Sequence, residues 1–261
     1  MRLILLLFSL LPAFTSAEEW LFKGFTRLTI PQADAGIARV FNIPTERFYQ
    51  SKLSFKTEVK ANKTLEVIFT AAEIRYLVNN VPTKPDFDLS DNLIGRRIIL
   101  QKTDEGFHFY DDPDHILSEA LPFDINMLCL MLDLSLFPYE KSVDSQIKDE
   151  QKTLIWSLPY VNQDKYRILE RQMATLSHEW GENQVFTVNI NRDEVLKDQK
   201  TVATGTADGL GDGIISHKED GTVTTVNLTV HLDKSLFLQE SEREGRLSIS
   251  EEQDFVLEAK P

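Results

Sequence analysis

One cysteine, Cys129, leaves the 261-residue chain no internal disulfide. A small exported domain without disulfides is unusual in an oxidising compartment, but a chain of this length can be held by its core alone. The absence points to a bacterial envelope rather than a eukaryotic secretory setting. Cationic excess is missing as well. The 28 Lys and Arg stand against 41 Asp and Glu, for a net charge of −13. That balance excludes nucleic acid, and anionic lipid surfaces, as partners held by bulk charge.

Catalytic signatures are also scarce. No Gly-x-Ser-x-Gly elbow occurs, and His178-Glu179 is followed by Glu182 where a zinc-protease helix needs its second histidine. Cys129 lies in the most apolar stretch beyond residue 17 with no base beside it, which marks a core residue rather than a nucleophile. Beyond residue 17 no apolar run reaches the roughly 20 residues that a helical membrane span requires.

The N-terminus supplies the one targeting signal. Met1-Arg2 opens an apolar run from Leu3 to Phe14, and Thr15-Ser16-Ala17 precedes the acids Glu18 and Glu19. One basic residue, a short apolar segment and small residues before a cleavage point read as a signal peptide over residues 1–17. Its removal takes away Arg2 alone among the charged residues and moves the net charge from −13 to −14. The expected location is therefore outside the cytoplasm, periplasmic or secreted, with no membrane span in the mature chain.

The rest of the chain is dominated by alternation. Leu53, Phe55 and Val59 alternate with Lys52, Ser54, Lys56, Glu58 and Lys60, and Leu65, Val67 and Phe69 repeat the pattern beyond Asn62. A period of two with an Asn-bearing turn predicts a hairpin. Residues 97–101 and 107–110 predict a second hairpin around Thr103-Asp104-Glu105-Gly106. Strands follow at 153–158, 166–175, 185–190 and 201–207. Val226, Leu228, Val230 and Leu232 alternate with Thr225, Asn227, Thr229 and His231, pairing back onto Ile214 across Glu219-Asp220-Gly221. The last strand, 247–257, carries Glu251 and Gln253 on its apolar side, which predicts a strand that leaves the core midway or lies at an edge.

Three helices are expected, one of them short, opening at Asp112-Pro113-Asp114 and ending before Pro122. Residues 33–41 form another short one, closed by Pro44. Residues 123–137 alternate like a strand, but they are rich in Leu and Met and nearly free of β-branched residues, which favours a buried helix with Asn126 and Asp133 on a narrow polar stripe. The charged, aperiodic stretch 138–151 serves as a linker between an N-terminal half (18–140) and a C-terminal half (141–261). The halves also permit one continuous domain. Ile98–Lys102 and Ile214–Lys218 resemble each other before acid-Gly turns, which raises a duplication beside simple convergence on turn chemistry. The fold class is thus mainly β (a β-rich α+β arrangement), with antiparallel strands and hairpins in two similar-length halves and a few short helices.

Two stretches hold residue types that do chemistry. Asp111, Asp112, Asp114 and His115, with His108 nearby, are the candidate metal ligands. Capping is the favoured account of Asp112-Pro113-Asp114, as acid, first-turn proline and second acid at a helix start. Asp208-Gly209-Leu210-Gly211-Asp212-Gly213 resembles a calcium loop but offers too few carboxylates, and reads as a connector between strands. No cofactor is expected. The sequence points to an exported, soluble, non-catalytic binding or structural protein of the cell envelope, in one form a carrier of an apolar ligand, whose partner is that ligand or an envelope protein. The alternative is a metal-dependent hydrolase built on residues 111–115.

Overall fold

The computed structural model describes residues 18–60, 64–79, 81–82, 93–103, 106–111, 125–136, 150–158, 166–177, 183–197, 201–240 and 242–260. They form one antiparallel sheet of twelve strands. The strands are β1 (Glu18–Thr29), β2 (Glu46–Lys60), β3 (Thr64–Val78), β4 (Val81–Pro82), β5 (Arg97–Thr103), β6 (Gly106–Asp111), β7 (Glu150–Leu158), β8 (Tyr166–Ser177), β9 (Asn183–Lys197), β10 (Thr201–His217), β11 (Val223–Glu240) and β12 (Arg243–Ala259). Helix α1 spans Ala35–Val40 after a 3-10 turn at Gln32–Asp34, and helix α2 spans Ile125–Leu136. The mainly β, antiparallel class read from the alternation is the class observed.

The sheet order is β6-β5-β3-β2-β1-β12-β11-β10-β9-β8-β7, with β4 paired to β3. Each strand from β7 to β12 pairs with its sequence neighbour, so the hairpin signals translate directly into topology. The one long-range join is β1 against β12, from Trp20 opposite Ala259 to Thr29 opposite Ser250. The sheet curls about α2, which packs on β6, on β11 and on β12, and the edge strands β6 and β7 come into contact with each other. No β6–β7 ladder forms among the described residues.

Alternation decides which side faces in. Trp20 and Phe22 on β1, Leu53 and Phe55 on β2, Val226, Leu228, Val230 and Leu232 on β11, and Phe255 and Leu257 on β12 are all buried. Burial of the four β11 side chains alone contributes about 6 to 12 kcal/mol, at roughly 1.5 to 3 each. Rings meet across neighbouring strands, Phe22 with Phe255 at 5.7 Å and Phe55 edge-on to Phe69 at 6.2 Å between centroids. Helix α2 is the buried helix that its composition predicts. Every residue from Met127 to Ser135 is buried, Cys129 among them. A second, smaller core gathers Ile30, Ala38, Leu238, Leu247 and Ile249 under α1, where Ile37 and Phe41 also pack. Val40 on the same helix is 49% exposed.

Three expectations need correction. The stretch 208–213 is no connector: β10 runs through it, with Asp208 and Asp212 on the exposed face. Its glycines face inward because neighbouring side chains occupy the space above them. A Cβ on Gly213 would enter the Phe186 ring, and one on Gly209 would meet Leu232. The four inward glycines Gly205, Gly209, Gly211 and Gly213 thus let flanking side chains close over β10, which local turn chemistry cannot reveal.

The β10–β11 hairpin has the expected three-residue tip. Lys218 N–H donates to the Thr222 carbonyl at 2.8 Å, and Gly221 takes φ +85°. Beyond it the register shifts between Ser216 and His217, so Val226 pairs with Ile215 rather than Ile214. Thr224 is the extra residue, and its hydroxyl donates to the Ser216 carbonyl at 3.1 Å. This bulge turns both Val223 and Val226 inward and leaves Ile214 45% exposed. Ile98, aligned with Ile214 in the internal similarity, is buried, so the two segments present opposite faces.

The last strand is central rather than peripheral. β12 lies between β1 and β11, and Glu251 and Gln253 stay in the core at 4% and 2% exposure. Lys234 on β11 pairs with Glu251, and Gln253 Nε2 donates to the same carboxylate.

Candidate functional site: the inner face of the curled sheet

The candidate metal ligands do not assemble among the described residues. Asp111 ends β6, where Ile99 is its pairing partner, while Asp112, Asp114 and His115 lie outside the described residues. No group of three metal-ligating side chains occurs among the described residues. Asp208 accepts a hydrogen bond from Asn191 at 2.7 Å on the exposed face, so it belongs to a polar strand surface rather than a calcium loop. The segment 1–17 and residues 138–149 of the expected linker 138–151 also fall outside the described residues, while Glu150 and Gln151 open β7.

What the fold does assemble is an apolar interior. Inward residues of β1, β2, β3, β9, β11 and β12 form one cluster with α2, including Trp20, Phe22, Phe55, Phe69, Phe186 and Phe255. The helix enters this interior with one charged group, Asp133, at 1% exposure. Lys102 on β5 reaches in to pair with it and also lies 5.0 Å from the Phe107 ring centroid. Residues 112–124 and 137–149, thirteen on each side, connect α2 to the sheet.

The outer face is the chemical inverse. Lys23 pairs with Glu258 at 2.8 Å, Arg27 with Glu46 at 2.8 Å and Lys56 with Glu19 at 3.0 Å. A transmembrane barrel turns apolar residues to lipid and polar ones to its lumen, and this sheet does the opposite. No helix among the described residues is long and apolar enough to cross a membrane.

A diagonal of polar side chains interrupts the inner face. Tyr76 on β3 stacks on Tyr49 on β2, with centroids 4.7 Å apart. Arg47, two residues before Tyr49 and on the same face, hydrogen bonds with its hydroxyl, while burial pushes that phenol up to about 12. Across β1, Thr26 pairs in register with both Tyr49 and Gln253. Gln253 Nε2 donates to Glu251 Oε1, and Lys234 Nζ lies 2.6 Å from Glu251 Oε2. The diagonal crosses β3, β2, β1, β12 and β11, separating the α2 interior from the α1 core. Arg47 Nε and Gln253 Oε1 are buried and have no hydrogen-bond partner among the described residues. Sequence alone missed Arg47, Tyr49, Tyr76 and Thr26; the available signal was the break in alternation at Glu251 and Gln253.

No family model matches this chain, and no curated relative does. Among solved structures, one of lipovitellin, concerned with lipid–protein interactions, aligns over 94% of this chain at 8% identity with a TM-score of 0.48. The chain spans 25% of that protein's length. A triple mutant of the Rhodopseudomonas blastica porin aligns at 7% identity over 94% of this chain and 100% of its own, with a TM-score of 0.18. A BenF-like porin from Pseudomonas fluorescens Pf-5 aligns at 5% identity over 94% and 99%, with a TM-score of 0.21. The functional reading therefore rests on the geometry of this chain.

Proposed function

We propose that this protein is an exported, non-catalytic carrier that shelters an apolar ligand inside its curled sheet. The observation that carries the reading is α2. A helix buried from Met127 to Ser135 fills the interior of a sheet whose inner face is aromatic and aliphatic. Binding sites for apolar molecules are lined by apolar side chains with a few placed polar groups, and this interior is apolar with polar groups at its margin. In this reading α2 occupies the ligand's place and yields it on loading. Its packing there is apolar, with the Lys102–Asp133 pair as a charged tie.

The ion-paired outer face and net charge of −13 suit a carrier that travels through water. The N-terminal signal segment supports delivery to a periplasmic or extracellular setting. Native mass spectrometry of protein purified from its own host tests the proposal. A lipid-sized adduct that dissociates on activation is the expected result, and a clean apo mass overturns the carrier reading.

A further inference from the structure

We propose that the inner-face diagonal at Arg47, Tyr49 and Tyr76 binds the anionic head, phosphate or carboxylate, of an amphiphile whose chain lies over the aromatic interior. The inference rests on the carrier reading and specifies its ligand. Polar groups on an apolar inner face cost free energy unless something satisfies them. Toward β11 that need is largely met within the protein, because Lys234 pairs with Glu251 and Gln253 Nε2 donates to the same carboxylate, leaving Gln253 Oε1 over. Toward β3 it is met only in part. Tyr49 hydrogen bonds with both Tyr76 and Arg47, while Arg47 keeps a buried Nε–H with no partner among the described residues.

A guanidinium hydrogen bonded to one phenol, with a second phenol stacked on the first, is a donor set matched to a planar or tetrahedral anion. Glu251, the nearest inward carboxylate across β1, is offset by Lys234 and leaves the cation at Arg47 available. Gln253 Oε1 adds an acceptor suited to a hydroxyl on the same head. The acidic surface sets no obstacle, because this is a local contact rather than long-range attraction.

Placement sets the chain direction. On the same face of β2, Ser51, Leu53 and Phe55 follow Tyr49, and β1 supplies Phe22 and Trp20 opposite Leu53 and Phe55. Six residues of strand separate Tyr49 from Phe55, roughly 20 Å of apolar path at 3.3 Å per residue. A head at the diagonal thus directs its tail into the space that α2 fills.

Calorimetric titration of the full chain with dodecyl phosphate, dodecanol and inorganic phosphate tests this on wild type, Arg47→Gln and Tyr76→Phe. The expected result is a wild-type preference of about tenfold or more for dodecyl phosphate over dodecanol, the size of one charge-assisted contact. The ratio falls to about one in Arg47→Gln and partway in Tyr76→Phe, which keeps the ring stack. Equal affinities for both dodecyl probes in wild type, or an unchanged ratio in Arg47→Gln, overturn the head-group site and leave the carrier reading standing. Inorganic phosphate binding as tightly as dodecyl phosphate overturns the amphiphile assignment in favour of a free anion. Wild type binding neither dodecyl probe overturns both readings.

Discussion

Lys234 on β11 and Glu251 on β12 meet at 2.6 Å inside the sheet, with side-chain exposures of 8% and 6%. They stand diagonally across the ladder, because Lys234 pairs in register with Ile249 and Glu251 with Leu232. The pair lies where the α2 interior gives way to the α1 core, and each charge there is offset by the other. Removing one partner strands the second without water. Lys234→Met alone should cost about 3 to 5 kcal/mol, whereas Lys234→Met with Glu251→Leu should recover most of that loss. Urea denaturation of both variants measures it. A single variant as stable as wild type would show that water reaches the site.

Gly213 makes the inner face of β10 a bed for Phe186, and Val188 likewise lies opposite Gly211. Gly213→Val puts a branched side chain where the Phe186 ring lies. The cost should be at least about 1 to 3 kcal/mol, the usual range for overpacking. Gly221→Ala adds no clash but faces strain at φ +85°, so its milder loss should be local to the hairpin tip. Thermal melts of the two variants separate core crowding from turn strain.

Alternation carried most of the architecture, because a sheet wet on one side writes its inner face into every second residue. β2, β3, β5, β6, β11 and α2 were legible for that reason. The run 208–213 was not, since glycine in a strand reads locally as a turn and the side chains that need the space come from β9 and β11. The bulge at Thr224 was equally hidden, depending on one hydroxyl-to-carbonyl contact. The candidate site was legible only as an anomaly. Glu251 and Gln253 broke the apolar pattern of β12, but their partner Lys234 sits on another strand, and Arg47 and Tyr49 lie about 200 residues away in sequence. A single strand's pattern cannot show that five strands align their polar residues.

Leu228 tests which side of the sheet is inside. It pairs with Gly213 on one side and Phe255 on the other, at 1% exposure. Leu228→Asp loses about 1.5 to 3 kcal/mol of apolar burial and adds a buried carboxylate with no cation placed for it. The variant should lose its cooperative melting transition, whereas Asn227→Asp on the exposed face should melt close to wild type. A melting temperature unchanged by Leu228→Asp would invert the assignment of faces.

Tyr49 gives the alkaline limb of stability a specific origin. Burial pushes its phenol from 10.0 to about 12, with Tyr76 adding to the rise and Arg47 opposing it. The folded state therefore holds this proton more tightly than the unfolded state does. Its contribution to stability is fully present below pH 10, and is lost as pH rises from 10 through about 12, where the unfolded chain ionises first. Urea midpoints should fall across that window in wild type and fall less in Tyr49→Phe. Phenolate absorbance supplies the direct check, since one of the six tyrosines should ionise late in the folded protein and that late step should vanish in the variant. A wild-type titration with no late component would mean that Tyr49 is open to water. The stacked Tyr49–Tyr76 pair would then be a surface feature rather than part of the sheltered inner face.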